Sequence, residues 1–573
     1  MTQLLRHRGL RIIGLLVALV LVIGWMLLPP ATRDTAPLAG GPPTARGAYH
    51  IHSDRSDGSG SVDDIAAAAA RAGLQFIVIT DHGDGTRQPD APQYRHGVLV
   101  IDAVELNTAS GHLVALGMPA APYPFAGAAA DVLEDVRRLG GVGIAAHPDS
   151  PRPALRWSAW EVEPDGLEWL NADSGWRDEP GLALARAVLS YGIRPAPAMA
   201  ALLDRPADLL ARWDSAGATR PMPALAAADA HARLGFRQES DPDVSTIHVR
   251  LPGYEATFRT FSNHAVLNQP LTGDAHADAV DVLRALKFGR TFTVIDALAT
   301  PGALDFTATA AQRTTGVGDS IPIHGRVSLR ARLSGPPGTT LQLLRNGVVV
   351  GSTTKDELVL ETREPGVYRI EAYTAGAPGL PPIPWVLSNP IYVGLHDGLV
   401  SPAPGAATPS SRIPARTADA STEKGTNDVS ELVDEPTTDS RDRRFAGEPP
   451  IGWRYALAPG VAAGQYAAVA LPTIGGLADF GRVRFTVRAS APVRAWVQLR
   501  AGSATERWGR TFYADGESRL IDLPLTSFRP IGSTSTAAAP LPRIESLLFV
   551  IDTLNNRPGS SGSLTLSEIA FVR

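Results

Sequence analysis

The stretch "GAYHIHSDRSDGSGS", residues 47–61, decides how the chain is read. His50 and His52 stand two residues apart in an extended segment, and Asp57 follows. In a strand, side chains at i and i+2 share a face, so the two imidazoles can reach one point. Converging imidazoles commonly bind a metal. The glycine- and serine-rich end of the stretch gives way to "SVDDIAAAAARAGL", a helical pattern with Ser61 as N-cap and Asp64 three residues on. Strand, loop and helix thus follow one another from the first motif.

Working outward, residues 47–296 alternate strand-like and helix-like runs. "QFIVIT", "VLVIDAVEL", "HLVALG", "VGIAAH", "GLEWLN" and "ALAAADAH" read as strands. "GAAADVLEDVRRLG" and "GLALARAVLSYG" read as helices between them, and "DAVDVLRALKFGRTFTVID" as a helix and closing strand. Such alternation predicts a parallel sheet or barrel. Candidate ligands recur at the strand ends: His82 after Asp81, Glu105, His147, and Asp229 with His231. In a parallel barrel those ends meet on one face, where sites are built. His112 begins a strand and needs a tight return from Glu105. A lone strand-end histidine is usually a packing residue. Several such positions together are not, because buried carboxylates and imidazoles without a cation would cost several kcal/mol per unpaired charge.

In this order, "HIHSDRSDG", "ITDH", "VEL…GHL", "AAHP" and "ADAH" resemble the polymerase and histidinol phosphatase (PHP) domain. The resemblance covers residues 47–296. It implies an α/β fold, a distorted (β/α)7 barrel, holding two or three divalent metal ions (Zn, Mn or Fe). It assigns ligand and catalytic roles to His50, His52, Asp57, His82, Glu105, His112, His147, Asp229 and His231, with Glu105 bridging metals. Asp81 is expected to orient its neighbours instead. The family is largely phosphoesterase, using a metal-bridging hydroxide. "LRALKFGRTFTV" and the later "PWVLSNPIYV" resemble an exported branch that includes carbamate-ester hydrolases. A carbamate or carboxyl ester is therefore the rival substrate. Arg152, Arg177 and Arg233 could hold a phosphate. Trp157, Trp160 and Trp176 could instead wall an apolar pocket. The rival class is a non-catalytic module binding a glycan or the cell envelope.

The rest of the chain supplies context. There is no cysteine among 573 residues, which excludes thiolate ligands, and a net charge of −5 gives no reason to expect nucleic acid. Arg6, Arg8 and Arg11 precede the uncharged run "IIGLLVALVLVIGWMLL", residues 12–28. Residues 1–30 are thus expected to be an inner-membrane anchor or a signal sequence, with the remainder in a bacterial periplasm or secreted. A Pro-rich linker is expected over 31–46. Period-two runs and the Asn346-Gly347 turn predict a β-sandwich over 297–397. The composition of 398–445 predicts a disordered linker. Short strands over 446–573 predict a jelly-roll-like β-sandwich. Its Trp453, Trp496, Trp508, Phe512 and Tyr513 fill a core or offer a glycan a stacking surface. All nine candidate ligands precede residue 398, so the C-terminal part is expected to be dispensable for a small ester substrate.

Overall fold

The computed structural model of the chain describes residues 25, 28–177, 179–235, 248–395, 412–414, 420–433, 450–473, 475–502, 506–534 and 536–573. The basic N-terminus and most of the 12–28 run lie outside them. Among the described residues no helix is long and apolar enough to cross a membrane. Two compact units are present: residues 1–83, 89–119 and 136–399 form the first, and residues 84–88, 120–135 and 400–573 the second.

In the first unit the strands that matter for the site are β1 (Thr44–Ile51), β2 (Phe76–Ile79), β3 (His82–Gly83), β4 (Val98–Asp102), β5 (Val104–Thr108), β6 (Gly111–Leu116), β7 (Val142–Ala145), β8 (Gly166–Asn171) and β9 (Ala224–Ala230). They belong to a closed barrel in which β1 pairs in parallel with both β2 and β9. The pairs β2–β4, β3–β5, β7–β8 and β8–β9 are parallel too. The expectation of a parallel wall needs correction at β5–β6 and β6–β7, which are antiparallel. The physical reason is the short turn after Thr108, which leaves no room for a crossover helix.

Helix α1 (Val62–Arg71) starts as its sequence predicts, with a reciprocal capping box between Ser61 and Asp64. It buries Ile65, Ala66 and Ala69 in a cluster that also holds Ile77 and Ile79. The alternate residues of β2, Phe76 and Val78, enter a separate cluster with Tyr49, Leu99 and Leu225. Both faces of β2 are covered, which is why it reads as a continuous apolar run.

The boundary expected at residue 296 is crossed by hydrogen-bonded sheet. Strand β10 (Ser262–Val266) pairs with β1 and with β11 (Thr291–Val294), and β11 pairs with β12 (Val386–Ser388) of the following sandwich. Asn389 seals this seam, donating to the carbonyls of Ala224 and Thr291 and accepting from the amide of Ala224. Within the sandwich, Asn346 (φ 50°) and Gly347 (φ 81°) make the turn between Thr340–Arg345 and Val348–Thr353. The 31–46 segment is likewise no free linker. Arg33–Asp34 pairs with Ala299–Thr300, and β1 begins at Thr44.

The second unit is a sandwich of two antiparallel sheets around Trp453, Phe485, Trp508, Phe512 and Phe549. Trp453, Trp508 and Phe512 are therefore core residues. Trp496 lies outside that core, against Ala468, Leu548 and Val550. Part of the expected linker also belongs to the sandwich. Ser421–Lys424 and Val429–Val433 are edge strands, one in each sheet. Edge strands face water along one side and tolerate polar sequence, so composition hid them.

Candidate metal centre

The nine predicted side chains converge in the first unit. Their ligand atoms form four overlapping groups: His50, His52 and Asp229; His50, Glu105 and His147; His82, Glu105 and His112; and His52, Asp57, His82 and His231. Within each group the atoms lie within 4.8 Å of one another.

Glu105, at the start of β5, is the shared member. Its Oε1 lies 2.7 Å from His112 Nδ1 and 2.9 Å from His147 Nε2. Its Oε2 lies 3.1 Å from His50 Nε2, 3.2 Å from His52 Nε2 and 3.3 Å from His82 Nδ1. Asp229 Oδ1 stands 3.6 Å from His50 Nε2 and 3.4 Å from His52 Nε2. At the open side Asp57 reaches His231 Nε2 at 3.2 Å and His82 Nε2 at 3.7 Å. The return that brings His112 to Glu105 is the β5–β6 hairpin, in which Asn107 opposes His112.

The backbone is bent to aim these groups. His50 (φ 64°), His147 (φ 29°) and Asp229 (φ 41°) are left-handed, and the β1–β9 register slips between Ala227 and Ala230. Plain strand alternation is thus only half the reason that His50 and His52 meet. Non-glycine residues in this region are uncommon and persist where their surroundings over-determine them.

Several rings are held from behind. His50 Nδ1 lies 2.5 Å from Glu168 Oε1, His147 Nδ1 3.1 Å from the carbonyl of Leu155, and His231 Nδ1 3.0 Å from the carbonyl of Asp229. Those oxygens only accept, so each Nδ1 carries the proton and Nε2 faces the cluster. Glu168 was missed in the sequence because it sits inside the apolar run "GLEWLN" of β8. It is fully buried and accepts from the amide of His147 (2.6 Å) and from Asn171 (3.1 Å), which also donates to Asp229 (3.0 Å). The detectable signal was an acid within a buried strand. Asp81 accepts from the amide and hydroxyl of Ser53 and the hydroxyl of Ser56, holding the loop after β1.

Charge is concentrated here. Burial alone would raise the carboxyl of Glu105, but His50, His112 and His147 hold it well below the usual range. Asp229 is held down likewise against burial by His50, His52 and His231. Burial opposes the imidazolium of His50, yet Glu168, Asp229 and Glu105 push its pKa well up. Burial and His231 oppose His52, but Asp229 and Glu105 still raise it. His231 rises against burial to about 9 beside Asp57 and Asp229. His82 is lowered, chiefly by burial.

The donor set fits divalent cations. Among the described residues, His82 Nδ1 is buried with no hydrogen bond, although Glu105 Oε2 lies 3.3 Å away, and His50 Nε2 and His52 Nε2 face each other at 3.1 Å. Two buried carboxylates lie among nitrogen donors, the set that suits zinc, manganese or iron in a chain without cysteine.

Of the three arginines considered for substrate, Arg233 touches the site, its Nη1 donating to the carbonyl of Asp57 at 3.4 Å. Arg177 is bound to Asp173 and lies over Trp176, and Arg152 is exposed. Trp157 is buried, its backbone 2.7 Å from where a Cβ on Gly111 would sit. Trp160 lies under Arg212.

No family model matches the chain. An uncharacterised protein of Methanocaldococcus jannaschii is 29% identical over 111 residues, 19% of this chain and 64% of the relative. The chain thus spans less than two thirds of that relative's length. A solved two-domain protein of Bacteroides vulgatus, containing a predicted PHP-like metal-dependent phosphoesterase, is 13% identical. The likeness covers 60% of this chain and 94% of that one, with a TM-score of 0.28. A family 11 carbohydrate-binding module of a Clostridium thermocellum cellulase is 14% identical over 27% of this chain and 86% of its own, with a TM-score of 0.21. Both scores are too low to assign a fold or an activity.

Proposed function

We propose that the chain is a metal-dependent hydrolase of phosphoesters, acting outside the cytoplasm, with the nine converged side chains as ligands to two or three divalent ions. The observation that carries this reading is Glu105, one buried carboxylate facing imidazole nitrogens of His50, His52, His82, His112 and His147. A carboxylate so placed suits a bridge between cations.

Bound divalent ions supply a Lewis acid and a water of lowered pKa. The chain's own groups do the rest. Glu105 and Asp229 bring the negative charge that neutralises the cations. Glu168, the Leu155 carbonyl and the Asp229 carbonyl fix three imidazoles with Nε2 inward. Arg233, at the rim beside Asp57, offers a cation to the oxygens of a phosphate, which carries more charge than a neutral carbamate. Residues 29–46 are held to the first unit by Arg194 and by pairing with 299–300, which favours an uncleaved anchor over a signal removed near Ala39.

The test pairs elemental analysis of chelator-free protein with assays of aryl phosphomonoesters, phosphodiesters, carbamates and carboxyl esters under Zn, Mn and Fe. At least two ions per chain are expected, with phosphoester turnover abolished by Asp229→Ala or His52→Ala. Less than one ion per chain would sink the metal site. Turnover of carbamates or carboxyl esters alone would transfer the assignment to those substrates. For location, a reporter fused after residue 46 should work only if it is active in the periplasm.

A further inference from the structure

Helix α2 (Gly181–Tyr191) buries only Ser190. Leu182 is 84% exposed, Val188 73%, Leu189 80% and the following Ile193 68%. Leu182 and Leu189 are seven residues apart, two turns along one side of the helix, with Val188 beside them. An apolar face of this kind on a monomeric surface marks a contact site.

Two further observations choose the partner. From Gly181 to Ala200 the only charged residues are Arg186 and Arg194, both cationic. Arg194, at the start of α3 (Pro195–Ala200), donates through Nη1 to the carbonyl of Pro29 at 2.5 Å. Pro29 directly follows the apolar run 12–28. The end of that run is therefore fixed within one residue of Ile193 and one helix length of Leu182. Asp178 and Glu179 precede the helix and no acid lies within it, so its apolar face, with Arg186 and with Arg194 at the end of the apolar run, suits the headgroup region of a bilayer.

We propose that α2 lies in the surface of the membrane that residues 12–28 enter, a second contact beside the anchor. This rests on the reading of that run as an anchor. Helix α2 follows β8, whose Glu168 and Asn171 support the metal site. Docking it would hold the first unit to the bilayer by two points and set its orientation.

Because the chain has no cysteine, single labels are unambiguous. The full chain would be reconstituted in vesicles of phosphatidylcholine and phosphatidylglycerol. It would carry a polarity-sensitive fluorophore at Leu182→Cys, Leu189→Cys or, as control, Val359→Cys, an exposed site in the sandwich at 297–397. None of the three side chains fills a core, and unchanged metal content would verify folding. Labels at 182 and 189 should shift to the blue and be quenched by doxyl-labelled lipid, while the label at 359 stays in water. Vesicle-bound chain with all three labels in water would overturn the inference and leave the anchor standing. Labels at 182 and 189 shielded from both water-soluble and lipid quenchers would also overturn it, since protein then covers α2. Chain that does not associate with vesicles would overturn this contact and the anchor together.

Discussion

At the residue scale, Glu105 and Glu168 divide the work of one site. Glu105 meets five imidazoles, and replacing it with glutamine keeps its size but removes a negative charge that would balance the proposed cations. Glu105→Gln should lose at least one ion per chain and about 100-fold or more in turnover, since a group shared by a cluster costs nearly as much as the cluster. Elemental analysis and initial rates check both. Glu168→Gln leaves all nine candidate ligands present and loosens chiefly His50, with its contacts to the His147 amide and Asn171 also altered. Partners of this kind cost about 10–100-fold in metal affinity, readable by competition with a chromophoric chelator. Wild-type affinity would dismiss the positioning role. Acid should oppose loading. His50, His52, His147 and His231 all hold their protons more tightly than free histidine, the last to about 9. Those protons must leave before a cation enters, so affinity rises with pH toward that value and uptake releases protons. A weakly buffered titration that shows no acidification on metal addition would contradict this.

At the element scale, the β5–β6 hairpin shows how much a turn controls. Gly111 has φ +107°, and a Cβ there would lie 2.7 Å from Trp157 Cα and from the Arg156 carbonyl oxygen. Both neighbours are backbone and cannot swing away. Gly111→Ala should cost about 1–3 kcal/mol from the backbone conformation alone and displace the adjacent His112. Urea unfolding with an unchanged midpoint would refute the first claim. Elements of this kind also mark what the sequence could disclose. His147, just past β7, and Asp229, at the end of β9, were legible because each closes an apolar run with a polar residue, whereas His82 and Glu105, read as strand ends, instead open the short strands β3 and β5 that follow such runs. The α1 cap and the Asn346-Gly347 turn were legible because their chemistry is local. Glu168 was not, since its justification lies in His50 and Asn171, distant or unremarked in sequence. The strands at 421–424 and 429–433 were not, since an edge position permits the polar composition of a linker. The antiparallel β5–β6–β7 course depended on a turn whose geometry only Gly111 hinted at.

At the scale of the whole molecule, the second unit draws residues from far apart in the chain. Residues 120–135 belong with 400–573, so a cut at residue 398 does not fall between units, and the expected dispensability of the C-terminal part has to be tested otherwise. Arg494 shows why. It is buried and grips Asp135 through two nitrogens at 2.8 and 2.6 Å, with a third bonded to Thr511. Asp131 lies 3.7 Å from the same guanidinium, and Asp135 also accepts from Tyr123. Burial works against the charge, but these carboxylates raise the guanidinium's pKa further. Removing one partner of a buried pair leaves the other charge uncompensated, which costs about 3–5 kcal/mol, whereas removing both is often neutral. Arg494→Met should therefore lower the stability of the second unit by that amount in chemical denaturation. Adding Asp135→Asn to it should recover part of the loss, though not all, because Asp131 stays charged. Metal content of the double variant should match the wild type, since none of the nine site residues lies in the second unit. Equal stability of Arg494→Met and wild type would show that this buried pair contributes nothing to holding residues 120–135 in the second unit.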